Sequence, residues 1–247
     1  MNTQALKYLL ICCLWSLLLS ACKPDAPMPT LKLKAQYPLA ITEPSGLSPG
    51  PEAQQLWVVS DQSKKVYLIN TQGQLLDSLF YLGNDPEGIA QDPTDGSLWV
   101  LEETRREVIH LHTNGRLLSS FKLDIPALEP NKGPEGISIS SLPALFVVNE
   151  ANPAVLYRLN LEGQITEQFP LDFAQDYSGL FWEAEAQHLW ILSDQSATLS
   201  QCTPEGKVLQ SFQLNIPKAE GLAMDKARSE IYIVSESDAQ LYVFQWP

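Results

Sequence analysis

GLSPGPEAQQLWVVSD, residues 46–61, opens on a glycine and an aliphatic residue and closes on an apolar strand that ends in an acid. The same frame returns from Gly88, Gly136, Gly179 and Gly221, with the strands LWVLEE at 98–103, LFVVNE at 145–150, LWILSD at 189–194 and IYIVSE at 231–236. A fixed period of 42–48 residues is the mark of a repeat architecture. A third strand follows in every unit, from Val66, Val108, Leu156, Leu199 and Leu241. In four units it leads through a turn glycine (Gly73, Gly115, Gly163, Gly206) into a fourth strand. The fifth unit runs out at Trp246 without one, and LKLKAQYPL at 31–39 supplies the missing pattern from the other end of the chain. Four strands per unit and complementary ends predict an all-β, five-bladed β-propeller closed by an N-terminal strand in the last blade, which removes exposed sheet edges. The near-continuous apolar second strands suit sheets covered on both faces. Trp57, Trp99, Phe146, Trp190 and Tyr232 at their matching positions are expected to wedge between blades.

In a blade the start of the first strand lies beside the end of the antiparallel second strand. Ser45, Glu87, Glu135, Ser178 and Glu220 precede the repeat glycines, and Asp61, Glu103, Glu150, Asp194 and Glu236 end the second strands. Units with Ser before Gly end in Asp and units with Glu end in Glu, so the two positions are expected to touch or to serve one site. Glu43, Asp85 and Asp176 extend the same rim. Crowded carboxylates need either raised pKa values or cations among them. Oxygen donors without His or Cys point to a hard ion, with Ca²⁺ the natural candidate. Glu87, Glu135 and Glu220 are the expected inner ligands, with the five strand-end acids, Ser45 and Ser178 around them. The competing expectation is a salt-bridge network through Lys64, Lys65, Arg105, Arg106 and Lys218.

Residues 1–21 follow the plan of an export signal, with Lys7, an apolar run from Tyr8 to Leu19 and small residues before Cys22. The run is too short for a bilayer span, which takes roughly 20 apolar residues. Leu19-Ser20-Ala21-Cys22 resembles the lipobox of bacterial lipoproteins, which makes Cys22 the lipidation site and 22–30 a proline-rich spacer ahead of a propeller at 31–247. By that resemblance Lys23, where Asp would retain a lipoprotein at the inner membrane, favours the outer one. Cys202 is the only other cysteine beyond the signal and is expected to be a buried apolar residue. A formal charge of −13 argues against nucleic acid and for cationic partners. His110, His112 and His188 are expected to be structural or surface residues.

EPSGL at 43–47, DPEGIA at 85–90, KGPEGIS at 132–138, DYSGL at 176–180 and KAEGLA at 218–223, with SDQS at 60–63 and 193–196, make the mature chain resemble the SdiA-regulated, YjiK-like family of bacterial envelope proteins. The resemblance implies a small propeller with an axial calcium site, carried onto Glu87, Glu135 and Glu220. Serine-nucleophile, Walker, zincin and paired-cysteine motifs are absent from the sequence. The expected function is therefore a lipid-anchored, calcium-binding module that meets an envelope protein, glycan or cationic ligand, with the loop at 124–132 at the contact. The alternative is a calcium-dependent hydrolase of lactonase, esterase or phosphoesterase type, with Asn84 and Asn149 near its site.

Overall fold

The computed structural model describes residues 27–126, 132–140 and 143–246, all in strands, turns and loops. The expected signal, Cys22 and the spacer up to residue 26 lie outside these residues, as does the middle of the 124–132 loop.

Twenty strands form five antiparallel four-stranded sheets. The first blade holds β2 (Pro44–Pro49), β3 (Gln55–Ser60), β4 (Lys65–Asn70) and β5 (Leu75–Ser78). The second holds β6 (Pro86–Gln91), β7 (Leu98–Glu102), β8 (Glu107–Leu111) and β9 (Leu117–Lys122). The third holds β10 (Pro134–Ser140), β11 (Ala144–Asn149), β12 (Val155–Leu159) and β13 (Ile165–Pro170). The fourth holds β14 (Gly179–Glu183), β15 (His188–Ser193), β16 (Thr198–Cys202) and β17 (Val208–Gln213). In the fifth, β18 (Ala219–Asp225), β19 (Glu230–Ser235) and β20 (Gln240–Gln245) are completed by β1 (Leu33–Pro38), paired from Leu33↔Phe244 to Pro38↔Gln240 with one shift of register between Leu33 and Ala35. This is the five-bladed propeller and the N-terminal closure expected from the repeat.

The five apolar cores are the five blade interfaces, and each holds one of the expected wedges. Trp57 packs with Ile89 and Leu98, Trp99 with Ile137 and Leu145, Phe146 with Leu180 and Leu189, Trp190 with Leu222 and Ile231, and Tyr232 with Leu47 and Leu56. Burying one such ring contributes roughly 1.5–3 kcal/mol. Cys202 belongs to the third interface, where burial pushes its thiol up to about 12. His110 stacks on Trp99 with centroids 3.8 Å apart and bonds Ser97 at 2.8 Å, the structural role expected of it.

The repeat glycine is required by closeness at the axis. A Cβ on Gly46 would lie 2.6 Å from the Glu87 carbonyl oxygen, and one on Gly88 would lie 2.6 Å from that of Glu135. Immediately after the glycines, Leu47, Ile89, Ile137, Leu180 and Leu222 form a buried apolar ring across the channel. On the far side of this ring is a chamber of about 430 Å³, walled by Pro49, Pro51, Gln91, Asp92, Phe181 and Trp182.

Candidate acidic mouth

The inner strands begin with a bulge, and the bulge aims the candidate ligands. Pairing with the second strand slips between Pro44 and Gly46, Pro86 and Gly88, Pro134 and Gly136, and Ala219 and Leu222. An extra residue at the first ladder position turns its side chain out of the sheet. That residue is Ser45, Glu87 or Glu135, and in the fifth blade the slip takes in Glu220 and Gly221. The fourth blade starts its strand at Gly179 with no slip, and Ser178 is tied instead to the Ala219 carbonyl at 2.8 Å. Glu87, Glu135, Glu220 and Ser178 line one narrow throat just above the apolar ring, with space of about 10 Å³ between them. That is room for about one water-sized occupant.

The polar residue before each strand-end acid fastens the mouth's rim. Ser60 donates to the Thr42 carbonyl at 2.6 Å, Ser235 to that of Pro217 at 2.5 Å, and Ser193 to the Asp176 carboxylate. Asn149 donates to the carbonyls of Ala151 (3.0 Å) and Pro153 (2.9 Å), so this amide serves its own turn. Glu102 fills the same place in the second blade and receives the N–H groups of Asn84 and Asp85, each at 2.8 Å.

The strand-end acids reach mainly to the next blade, which the within-unit covariation did not indicate. Glu103 accepts the Gly133 N–H at 2.7 Å and Asp194 the Ala219 N–H at 3.2 Å. Carboxylate oxygens of Asp61, Asp85 and Glu87 lie within 4.8 Å of one another, and so do those of Glu43, Asp61 and Glu236. Asp61 therefore joins three blades. Of the expected inner ligands only Glu87 enters a triad this tight among the described residues; Glu135 and Glu220 share its throat and its field. Within a unit, Lys218 bridges Glu220 (3.4 Å) and Glu236 (3.1 Å) in the fifth blade, and Glu87 lies in the field of Glu103 and Glu135 in that of Glu150.

Burial pushes the Glu87 and Glu135 carboxyls well above the usual range, and neighbouring carboxylates add to the rise: Asp61 and Glu103 for Glu87, Glu220 and Glu150 for Glu135. Burial takes Glu220 up to about 8 against the pull of Lys218, and Asp61 up to about 6 with help from Glu43 and Glu236. Glu103 is raised by burial and held back by the Gly133 N–H. Of the cations expected to neutralise the rim, Lys218 forms these pairs, and Lys132, which was not expected, lies 3.8 Å from Glu150. Lys64 is turned to the Asn84 carbonyl. Asp61 keeps one buried oxygen, Oδ1, without a hydrogen-bond partner. An all-oxygen donor set with an unpartnered, buried carboxylate oxygen fits a hard cation.

A model of the SdiA-regulated family matches residues 30–245. Among solved structures, glutaminyl cyclase of Myxococcus xanthus superposes with a TM-score of 0.68 at 12% identity, over 87% of this chain and 97% of that one. Virginiamycin B lyase of Staphylococcus aureus, a catalytically inactive variant with quinupristin, gives 0.52 at 19%, over 82% of this chain and 66% of that one. A protein of unknown function from Bacteroides caccae gives 0.51 at 12%, over 74% and 65%. At these identities the likeness is one of fold.

Proposed function

The chain belongs to the SdiA-regulated family, and from that premise we propose that it is a calcium-holding binding module of the bacterial cell envelope, with its ligand site at the acidic mouth. The observation that carries this reading is Asp61, whose carboxylate stands in two overlapping triads and keeps an unpartnered, buried oxygen. Asp61, Asp85 and Glu87 would hold the ion from one wall, with Glu135 and Glu220 in the same throat. A bound Ca²⁺ supplies the positive charge that lets these carboxylates ionise together. The protein's own part is to aim them with bulged strands and to close the channel beneath with an apolar ring.

Tethering by a lipid on Cys22, with the outer membrane favoured, belongs to the same proposal, as does an envelope protein, glycan or cationic compound as the ligand. The test is calorimetry of Ca²⁺ added to chelator-stripped full chain, with Asp61→Asn, Glu87→Gln, Glu135→Gln and Glu220→Gln alongside. Saturable binding that weakens in all four variants is expected. Absence of binding in the parent would leave an acidic mouth held by salt bridges and would remove the calcium reading.

A further inference from the structure

The five blades are each other's controls, and the first departs from the rest at one place beside the mouth. In the other four the aromatic residue near the end of the outer strand pairs with the second residue of the third strand: Tyr37 with Leu241, Phe121 with Val108, Phe169 with Leu156, Phe212 with Leu199. One residue follows (Pro38, Lys122, Pro170 or Gln213), and the N–H after it returns to the carbonyl just before the third strand. Leu39 donates to Ala239, Leu123 to Arg106, Leu171 to Ala154 and Leu214 to Ala197, at 2.7–3.0 Å. In the first blade Leu79 donates to Val66 at the matching place, but the return, to the Lys64 carbonyl at 2.7 Å, is made by Gly83. Phe80, Tyr81 and Leu82 thus arch out where the other blades have a single residue.

The arch is no longer loop. Leu79 and Gly88 are nine positions apart, as are Tyr37 and Gly46, and Phe212 and Gly221. The same length of chain has been redistributed outward and then fixed. The Tyr81 hydroxyl donates to Glu102, the same carboxylate that receives the Asn84 and Asp85 N–H groups, and Glu102 is only 1% exposed. Ser or Asn stands in its place in the other blades. Gly115 of the next blade lies against the backbone of Phe80, where a Cβ would come within 2.9 Å of its carbonyl oxygen. Held in this way, Phe80 is 98% and Leu82 72% exposed. A groove of about 410 Å³ runs beside them, bordered by Lys65, Ser78 and Leu79. Two large apolar side chains on a fastened support lose little freedom on binding, which is how an interface anchor is built.

Charge selects the occupant. Asp85, three residues beyond Leu82, stands with Asp61 on the rim, Lys65 is the one charged side chain bordering the groove itself, and the chain carries −13 overall. That field repels a second copy and an anionic bilayer and attracts a basic surface. We propose that the arch at 80–82 docks a protein partner whose apolar pocket, bordered by lysine or arginine, receives Phe80 and Leu82. This extends the binding-module reading to a partner and does not require the cation.

The test places a photo-crosslinking residue at position 80 or 82 of the full chain in its host, with positions 122 and 213 as controls from matching sites. A discrete adduct at 80 and 82 but not at 122 and 213, mapping to an apolar site flanked by basic residues, is expected. Its yield should fall about tenfold with Phe80→Ala in the position-82 protein, and should fall with Asp85→Asn or added salt. Tyr81→Phe, which removes the bond between the arch and Glu102, should lower it several-fold. Equal adducts at the control positions, a dimer of this chain, lipid adducts alone or no adduct would each overturn the proposal. Calcium binding measured on the same variants separates failure of this inference from failure of the calcium reading.

Discussion

The two walls of the mouth solve the same electrostatic problem differently. On the fifth-blade wall, Lys218 sits between Glu220 and Glu236 and supplies the missing positive charge from the chain itself. On the wall between the first and second blades, Glu43, Asp61, Asp85 and Glu87 crowd together with no lysine or arginine ion pair to them among the described residues. Their nearest hydrogen bonds come from neutral groups, Thr104 to Asp85 and Gln62 to Glu43 at 3.0 Å. One wall carries a cation of its own chain beside its acids; the other carries none among the described residues.

The largest effect that would break this contrast is on the uncompensated wall. Asp61→Asn should weaken calcium binding on the order of 100-fold, because ligand charge sets affinity; calorimetry against the parent checks it. Next comes the glycine ring that brings the walls together. Gly46→Ala should cost about 1–3 kcal/mol in denaturant unfolding, since its Cβ meets the backbone of the second blade. An unchanged midpoint would mean that the inner strands can separate.

The pH dependence sharpens the comparison. Burial pushes the Glu220 carboxyl up to about 8 from its ordinary value of 4.5, so the folded state holds a proton that the unfolded state releases between those values. Its contribution to stability is whole below about 4.5 and gone once pH passes about 8. Glu87 and Glu135 shift in the same direction. The melting temperature of chelator-stripped protein should therefore fall as pH rises through this window, and saturating Ca²⁺ should reverse the trend by binding the ionised mouth. The smallest effect belongs to the compensated wall. Lys218→Met should tighten calcium binding by only about two- to fivefold, the scale of a half-exposed ion pair, in the same titration.

The blade count, the strand order, the closure and the aromatic wedges were all legible in the sequence, because the repeat states the same geometry five times and the two chain ends complement each other. The gathering of acids at one mouth was legible for the same reason. The contacts from blade to blade were not. Covariation tied Ser45 to Asp61 and Glu87 to Glu103 as positions that touch or serve one site, and Glu87 does lie in the field of Glu103, but three strand ends also reach the following blade: Asp61 to Glu87, Glu103 to Gly133, Asp194 to Ala219. The bulges that aim Glu87 and Glu135 leave no mark beyond the residue before glycine. Glu102 carries no mark of its own in the sequence, because LWVLEE ends in two acids and only the second matches the acid that ends the other strands. The arch at 80–82 was hidden because its loop has the ordinary length, and only the hydrogen bond from Gly83 to Lys64 reveals that the chain returns late.

The most direct measurement is a crystal structure grown with Ca²⁺ and phased for anomalous signal at long wavelength. The expected result is a single peak in the mouth within about 2.3–2.6 Å of oxygens of Asp61, Asp85 and Glu87. A mouth without a peak, or a peak confined to the chamber beyond the apolar ring, would contradict the account.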